Sequence, residues 1–296
     1  MKIIFMGSPD FAVPTLQKLI DSEHQIVACF SQPPRPKNRG KKLIATPVQQ
    51  LAEQHNIPVH TPTSLKNAET QKIIDDLEAD FLVVVAYGLL LPQAVLDAAK
   101  YDALNLHPSS LPRFRGAAPL QRTLMAGDQK TDICIMRMTA GLDEGPIYKS
   151  SELPIAENMN LGELHDQSAQ IGAELMLEVI NNFQDLTPTE QGSKGIIYAK
   201  KIDKSEAEID FTKNGSEILN LIRALNPAPG AFMWLDEMRL KIFRANFTAK
   251  PHSETPGTIT DDFKIYCKDG LIIPETVQKA GKNKLERQEF LKGWQA

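Results

Sequence analysis

With 296 residues, 42% hydrophobic and 24% charged, the chain falls in the globular composition range and is long enough for two domains, each with its own core. The 33 basic and 37 acidic side chains leave a net charge of −4, so total charge does not point to a polyanionic partner. The longest apolar stretch, residues 81–92, is interrupted by Tyr87 and Gly88 and is too short to span a membrane as a helix.

The first strand signal begins at Lys2 with no apolar leader before it, so the chain is expected in the cytoplasm. Strand-like runs at 2–6, 25–30, 81–86, 103–107, 133–138 and 147–150 alternate with helix-period segments. That order predicts an α/β domain over 1–183, with a Rossmann-like, mostly parallel sheet covered by helices. Its last helix, 160–183, places Leu161, Leu164, Ser168, Ile171, Leu175 and Val179 on one face. Residues 184–205 are polar, lack a period and read as a linker. Beyond them, 206–296 carry a short helix around Ile218 and Ile222, then strand signals at 232–235, 240–247, 257–260, 264–268 and 271–273. Turn residues separate these strands, which predicts a small OB-like antiparallel barrel. Cys29, Cys134 and Cys267 lie in apolar runs without paired spacing and are expected as reduced, buried thiols.

Several chemistries lack their signatures. There is no GxGxxG, no P-loop and no GxSxG elbow, and the six histidines form no metal-ligand spacing, so no metal is expected. What remains is Asn105-Leu-His107 at the end of a strand. Alternation puts the two polar side chains on one face, about 6.6 Å apart. A turn-rich segment after the next strand, Ala140-Gly-Leu-Asp143-Glu-Gly145, sits where a carboxylate can join them. An amide that donates to a developing oxyanion, an imidazole that relays protons and a carboxylate that orients the ring make a plausible acyl-transfer set. By pattern alone, His107 is equally a loop cap and Asp143 an Asx-turn residue.

The N-x-H motif followed by Ser109-Ser-Leu-Pro112-Arg-Phe-Arg-Gly116, with the downstream Gly-Leu-Asp143-Glu-Gly, resembles the tetrahydrofolate-dependent formyltransferases. Met6-Gly-Ser-Pro-Asp-Phe-Ala12, Val85-Ala-Tyr-Gly88 and Arg115-Gly-Ala-Ala-Pro119 extend the likeness along the chain. The resemblance implies formyl transfer from 10-formyltetrahydrofolate to the α-amino group of methionine on initiator tRNA. It also implies Asn105, His107 and Asp143 as the catalytic trio and Ser109, Ser110, Leu111 and Pro112 as the folate-binding turn, with Tyr87 and Leu89 lining the same pocket. Ser110 stands where many members have Leu, Pro108 where Gly is frequent, and Phe114 where Trp is frequent. A monomer is the family expectation.

Arg35, Lys37, Arg39, Lys41 and Lys42 cluster in a proline-shaped segment, with no acidic residue anywhere from 24 to 52. Such a run is ordinarily a solvated face, but its start at a strand end favours phosphate contact. The resemblance places it at the tRNA acceptor end, with Arg39 as the matching position. A second basic patch, Lys279, Lys282, Lys284, Arg287 and Lys292, is interrupted by Glu286 and Glu289. Trp234 and Trp294 read as core or edge residues. Two further readings stay open: a formyltransferase acting on a sugar nucleotide or glycinamide ribonucleotide, and a non-catalytic RNA-binding protein.

Overall fold

Ile3, Ile4, Phe5 and Met6 are all fully buried, so their strand is covered on both faces and shows no polar alternation. In the computed structural model, which describes residues 1–37 and 42–294, this strand is β1 (Lys2–Gly7). After it come α1 (Val13–Ile20), β2 (Gln25–Phe30), a hairpin of β3 (Arg35–Lys37) and β4 (Lys42–Ile44), α2 (Pro47–Gln54) and β5 (Val59–His60). The chain then forms α3 (Ala68–Asp76), β6 (Phe81–Val85), α4 (Gln93–Leu96), β7 (Asp102–His107), β8 (Arg113–Gly116) and α5 (Pro119–Ala126). Next come β9 (Lys130–Arg137), β10 (Ile147–Pro154), α6 (Leu161–Asn181) and β11 (Ile197–Ala199). Local chemistry starts the helices: the Thr46 hydroxyl accepts the Gln49 amide at the head of α2, and Asn67 accepts the Thr70 amide at the head of α3.

The large sheet runs β10-β9-β7-β6-β1-β2-β5. β1 pairs in parallel with β2 on one side and β6 on the other, and β7 continues in parallel from β6. Strand order therefore reverses beside β1, and the carboxyl ends of β1 and β6 flank the switch point at which open α/β sheets form their ligand crevice. β9 is antiparallel to β7, which leaves the sheet mostly parallel.

The second sheet is antiparallel. It contains β12 (Ala231–Leu235), β13 (Met238–Ala249), β14 (Ile265–Cys267), β15 (Gly270–Lys279) and β16 (Leu285–Glu286) in the order β12-β13-β15-β14, with β16 also on β15. Leu240, Ile242, Phe263, Ile265 and Ile272 fill its core, together with Ile218 and Ile222 of α7 (Gly215–Ala224) and Phe290 of α8 (Arg287–Leu291). An Asn214–Glu217 capping box opens α7.

By internal packing the chain divides into two compact units that are not contiguous in sequence. One comprises Met1–Gly116, Thr131–Leu153 and His165–Tyr198; the other comprises Ala117–Lys130, Pro154–Leu164 and Ala199–Ala296. Among the described residues no helix is long and apolar enough to cross a membrane.

Several expectations change in detail. The apolar run from 81 stops being a strand at Val85, because Ala86 and Gly88 take positive φ and turn the chain away. The strand expected at 257–260 is reduced to an isolated bridge from Ile259 to Ile265, next to Gly257 at φ 94°. The basic segment from Arg35 is a hairpin, with Arg35 paired to Ile44. The linker contains β11, which pairs with β8. Elements of two to four residues are too short for periodicity to reveal.

Candidate active site

The crevice is assembled from strand ends tied to one another. At Gly7 an added Cβ would lie 2.9 Å from both the Val85 carbonyl and the Ala12 methyl, so only glycine allows β1 and β6 to approach this closely. Ser8 donates its hydroxyl to the Tyr87 carbonyl at 3.2 Å and accepts the Gln32 amide at 3.1 Å, while Gln32 Nε2 also donates to that carbonyl at 3.3 Å.

From β7, Asn105 and His107 point to the same face, opposite Met136 and Cys134 of β9. Asn105 is half-buried, and its Nδ2 donates to the Val84 carbonyl at 3.2 Å. An amide carries two N–H groups, so this bond aims the carboxamide and leaves donor and acceptor capacity for a ligand. His107 is 5% exposed, and its Nε2 lies 3.0 Å from the Phe114 carbonyl. A carbonyl only accepts, so Nε2 holds the ring proton and Nδ1 is the basic nitrogen.

Nδ1 faces Asp143 Oδ2 at 3.6 Å, beyond a direct hydrogen bond but close enough for strong electrostatic contact. That oxygen accepts the Gly116 amide at 2.8 Å, which fixes the carboxylate. Burial pushes His107 below the ordinary imidazole value, with Asp143 and then the Phe114 carbonyl pulling the other way. The ring is therefore neutral near pH 7, able to take a proton on Nδ1 and to have the resulting charge stabilised by Asp143.

Three non-glycine residues at this rim hold positive φ: Ala86 at 47°, Phe114 at 64° and Asp143 at 50°. Each sits at or beside a bond just described. Backbone held in this region is costly and persists where surrounding contacts impose it.

The other sequence-predicted residues are distributed around the trio. Ser109 is fully buried and donates to the Arg113 carbonyl at 2.8 Å, while Ser110, Leu111 and Pro112 are half-buried in the turn that follows. The Tyr87 ring packs in the core, where burial raises its phenol to about 12, and the residue borders the crevice through its carbonyl. Leu89 is half-buried beside the exposed Leu90.

Of the basic hairpin, Arg35 is exposed, whereas Arg39 and Lys41 lie outside the described residues and the Lys37 and Lys42 backbones form its paired strands. In the second patch the Arg287 guanidinium is occupied by the carbonyls of Phe263, Pro274 and Asp262, and Lys292 pairs with Glu289. Lys279 lies over the Phe290 ring and Lys284 over the Phe243 ring, leaving Lys282 as the exposed cation of this patch without that kind of engagement. Lys241, depressed first by burial and then by Arg239 and Lys284, marks a positive face on β13 that periodicity does not signal. Cys29, Cys134 and Cys267 are free and buried. Among the described residues no cluster of three or more His, Cys, Asp or Glu side chains is arranged to hold a metal.

Two residues of this site escape the sequence reading. Arg115, 6% exposed, donates from Nε at 3.0 Å and Nη2 at 2.7 Å to Gln191 Oε1. Gln191 Nε2 in turn donates to the carbonyls of Asp143 at 3.0 Å and Gly145 at 2.8 Å. Arg115 lies inside a recognised motif, but Gln191 lies in a segment read as linker and carries no local signature.

The chain is 45% identical over 294 residues to methionyl-tRNA formyltransferase of Rickettsia canadensis, covering 99% of this chain and 97% of that protein. Among solved structures it aligns with a sugar 3N-formyl transferase, WlaRD, crystallised in the presence of dTDP and 5-N-formyl-THF (TM-score 0.69, 19% identity, 96% of this chain and 99% of that one). It also aligns with methionyl-tRNA formyltransferase from Clostridium thermocellum (TM-score 0.59, 18% identity, 92% and 99%). The formyl transferase profile matches residues 1–180 and the formyl transferase C-terminal domain profile matches residues 201–295, so the chain belongs to the formyl transferase family.

Proposed function

We propose that Asn105, His107 and Asp143 carry out transfer of a formyl group from 10-formyltetrahydrofolate to the α-amino group of methionine on initiator tRNA. The observation that carries this reading is the approach of Asp143 to 3.6 Å from His107 at the rim of the sheet, beside the Asn105 carboxamide. The donor set fits the co-substrate's chemistry: a neutral amide, a neutral imidazole and a carboxylate suit acyl transfer between nitrogens and need no metal.

When bound, the folate supplies a formyl carbon already activated on nitrogen. The α-amino group has an ordinary pKa near 8, so a usable neutral fraction exists at pH 7 and positioning matters more than deprotonation. Asn105, held by Val84, donates to the formyl oxygen as it gains charge. His107 accepts the proton released by the attacking amine at Nδ1, Asp143 stabilises the imidazolium, and the ring returns that proton to N10 of the folate as the bond between N10 and the formyl carbon breaks. The turn at 109–112, with Tyr87 and Leu89, forms the folate side of the crevice.

The hairpin with Arg35, Lys37, Arg39, Lys41 and Lys42 meets the acceptor end of the tRNA. Arg239, Lys282 and Lys284 follow its backbone, since phosphate contacts need only exposed cations at suitable spacing. We place the reaction in the cytoplasm, with the protein acting as a monomer.

The acceptor is tested by offering the protein radiolabelled 10-formyltetrahydrofolate with methionyl initiator tRNA, an amino-sugar nucleotide or glycinamide ribonucleotide. Label is expected on the methionyl-tRNA alone. Label on either small acceptor, with none on the tRNA, overturns the assignment of the acceptor.

A further inference from the structure

We infer that Gln191 is the positioning residue that holds Asp143 in its working geometry. This inference rests on the reading of Asp143 as a catalytic group. Three consecutive residues touch the site through different atoms. The Phe114 carbonyl holds His107 Nε2, the Arg115 guanidinium holds Gln191, and the Gly116 amide holds Asp143 Oδ2. Gln191 closes the circuit by donating to the main-chain carbonyls on either side of Glu144, those of Asp143 and Gly145. The Asp143 side chain is thus held from β8 directly, and its backbone is held from β8 through Arg115 and Gln191.

The backbone needs such support. Asp143 sits at φ 50°, a conformation a non-glycine residue does not prefer. Gly145 packs so closely that a Cβ there would lie 1.9 Å from the Arg137 carbonyl, so the turn has one tight fit and little tolerance for drift. Released from Gln191, the carbonyls of residues 143 and 145 lose their donors, and the segment between them is free to relax toward ordinary φ. The carboxylate would then turn away from His107 Nδ1.

Gln191 is itself delivered with precision by backbone pairing. Ile147 and Thr189 exchange amide-to-carbonyl hydrogen bonds of 2.8 Å in both directions, which seats the 189–191 segment against the strand that leaves the Asp143 turn. A carboxamide is the side chain this position requires. It accepts from a cation at one end and donates to two carbonyls at the other, whereas a carboxylate only accepts and a lysine or arginine only donates. Arg115 has a matching function: its fork, buried and fixed on Oε1, sets which end of the Gln191 amide carries the N–H groups.

The test is a double-mutant cycle of Gln191→Leu with Asp143→Ala, with kcat and KM measured for folate and charged tRNA on the full-length protein. Gln191→Leu is expected to lower kcat by about tenfold to a hundredfold, the scale for displacing a catalytic group by a fraction of an ångström to 1 Å. KM for both substrates should stay within about twofold. In the Asp143→Ala background the same substitution should change kcat by less than about twofold, since nothing remains to position. Should Gln191→Leu fail to fold, Gln191→Glu keeps the acceptor for Arg115 and removes both donors, and the same pattern is expected of it. An unchanged kcat, or an equal loss in both backgrounds, overturns the inference while leaving Asp143 in place. Full activity of Asp143→Ala alone overturns the site reading on which it depends.

Discussion

The crevice at the end of the large sheet and the basic face of the antiparallel sheet hold their polar groups by opposite means. In the crevice nearly every functional atom has a backbone partner: Val84 for Asn105, Phe114 for His107 and Gly116 for Asp143. On the basic face, Lys282 is exposed and Lys284 rests on an aromatic ring, while Arg287, the cation bound most tightly to backbone, is engaged inside its own domain. Chemistry at one carbon demands fixed positions, because an error of 1 Å removes most of the benefit. Attraction to a polyanion needs charge density and tolerates mobility, because counterion release depends on the number of contacts more than on their geometry.

That contrast predicts effects of very different size. The largest falls in the crevice: Asn105→Ala or Asp143→Ala should lower kcat by at least about a hundredfold, the scale for one oxyanion donor or one acid-base group. Near-normal single-turnover formylation by either folded variant would break the comparison at its rigid end.

An intermediate effect concerns protonation. Burial holds His107 below the ordinary imidazole value and Asp143 opposes it, so Asp143→Asn should move the His107 titration, followed by NMR of the ring, to still lower pH. In the native protein the competent neutral ring is lost as pH falls through that depressed value, and kcat should fall with it. The unfolded chain binds the same proton more readily, so stability should also decline below the ordinary imidazole range. A titration that rises in the Asn variant would remove Asp143 as the partner of His107.

The smallest effects belong to the charged surfaces. Arg39→Ala or Lys282→Ala should raise KM for charged tRNA several-fold without affecting KM for the folate. Each should also reduce the slope of log affinity against log salt by about one if the cation meets a phosphate. An altered folate KM with unchanged tRNA binding would move that residue out of the tRNA surface.

Much of this protein is set by local sequence. Continuous apolar runs such as Ile3–Met6 become strands buried on both faces, Asn and Thr cap the helices they precede, and the alternation of Asn105 and His107 puts both on one side of β7. These features depend on neighbours a few residues away, so they are legible in the order of residues. The short pairings of β8 with β11 and the hairpin from Arg35 are not, because two to four residues carry too little periodicity.

Only the tertiary structure selects the supports of the site. Gln191 meets Arg115 across 76 residues and Asp143 across 48, and a polar residue in an irregular segment looks the same whether it faces water or the turn at Asp143. The types of group available for the chemistry were written in the chain, whereas their fixed orientation arises from hydrogen bonds between segments that folding alone brings together.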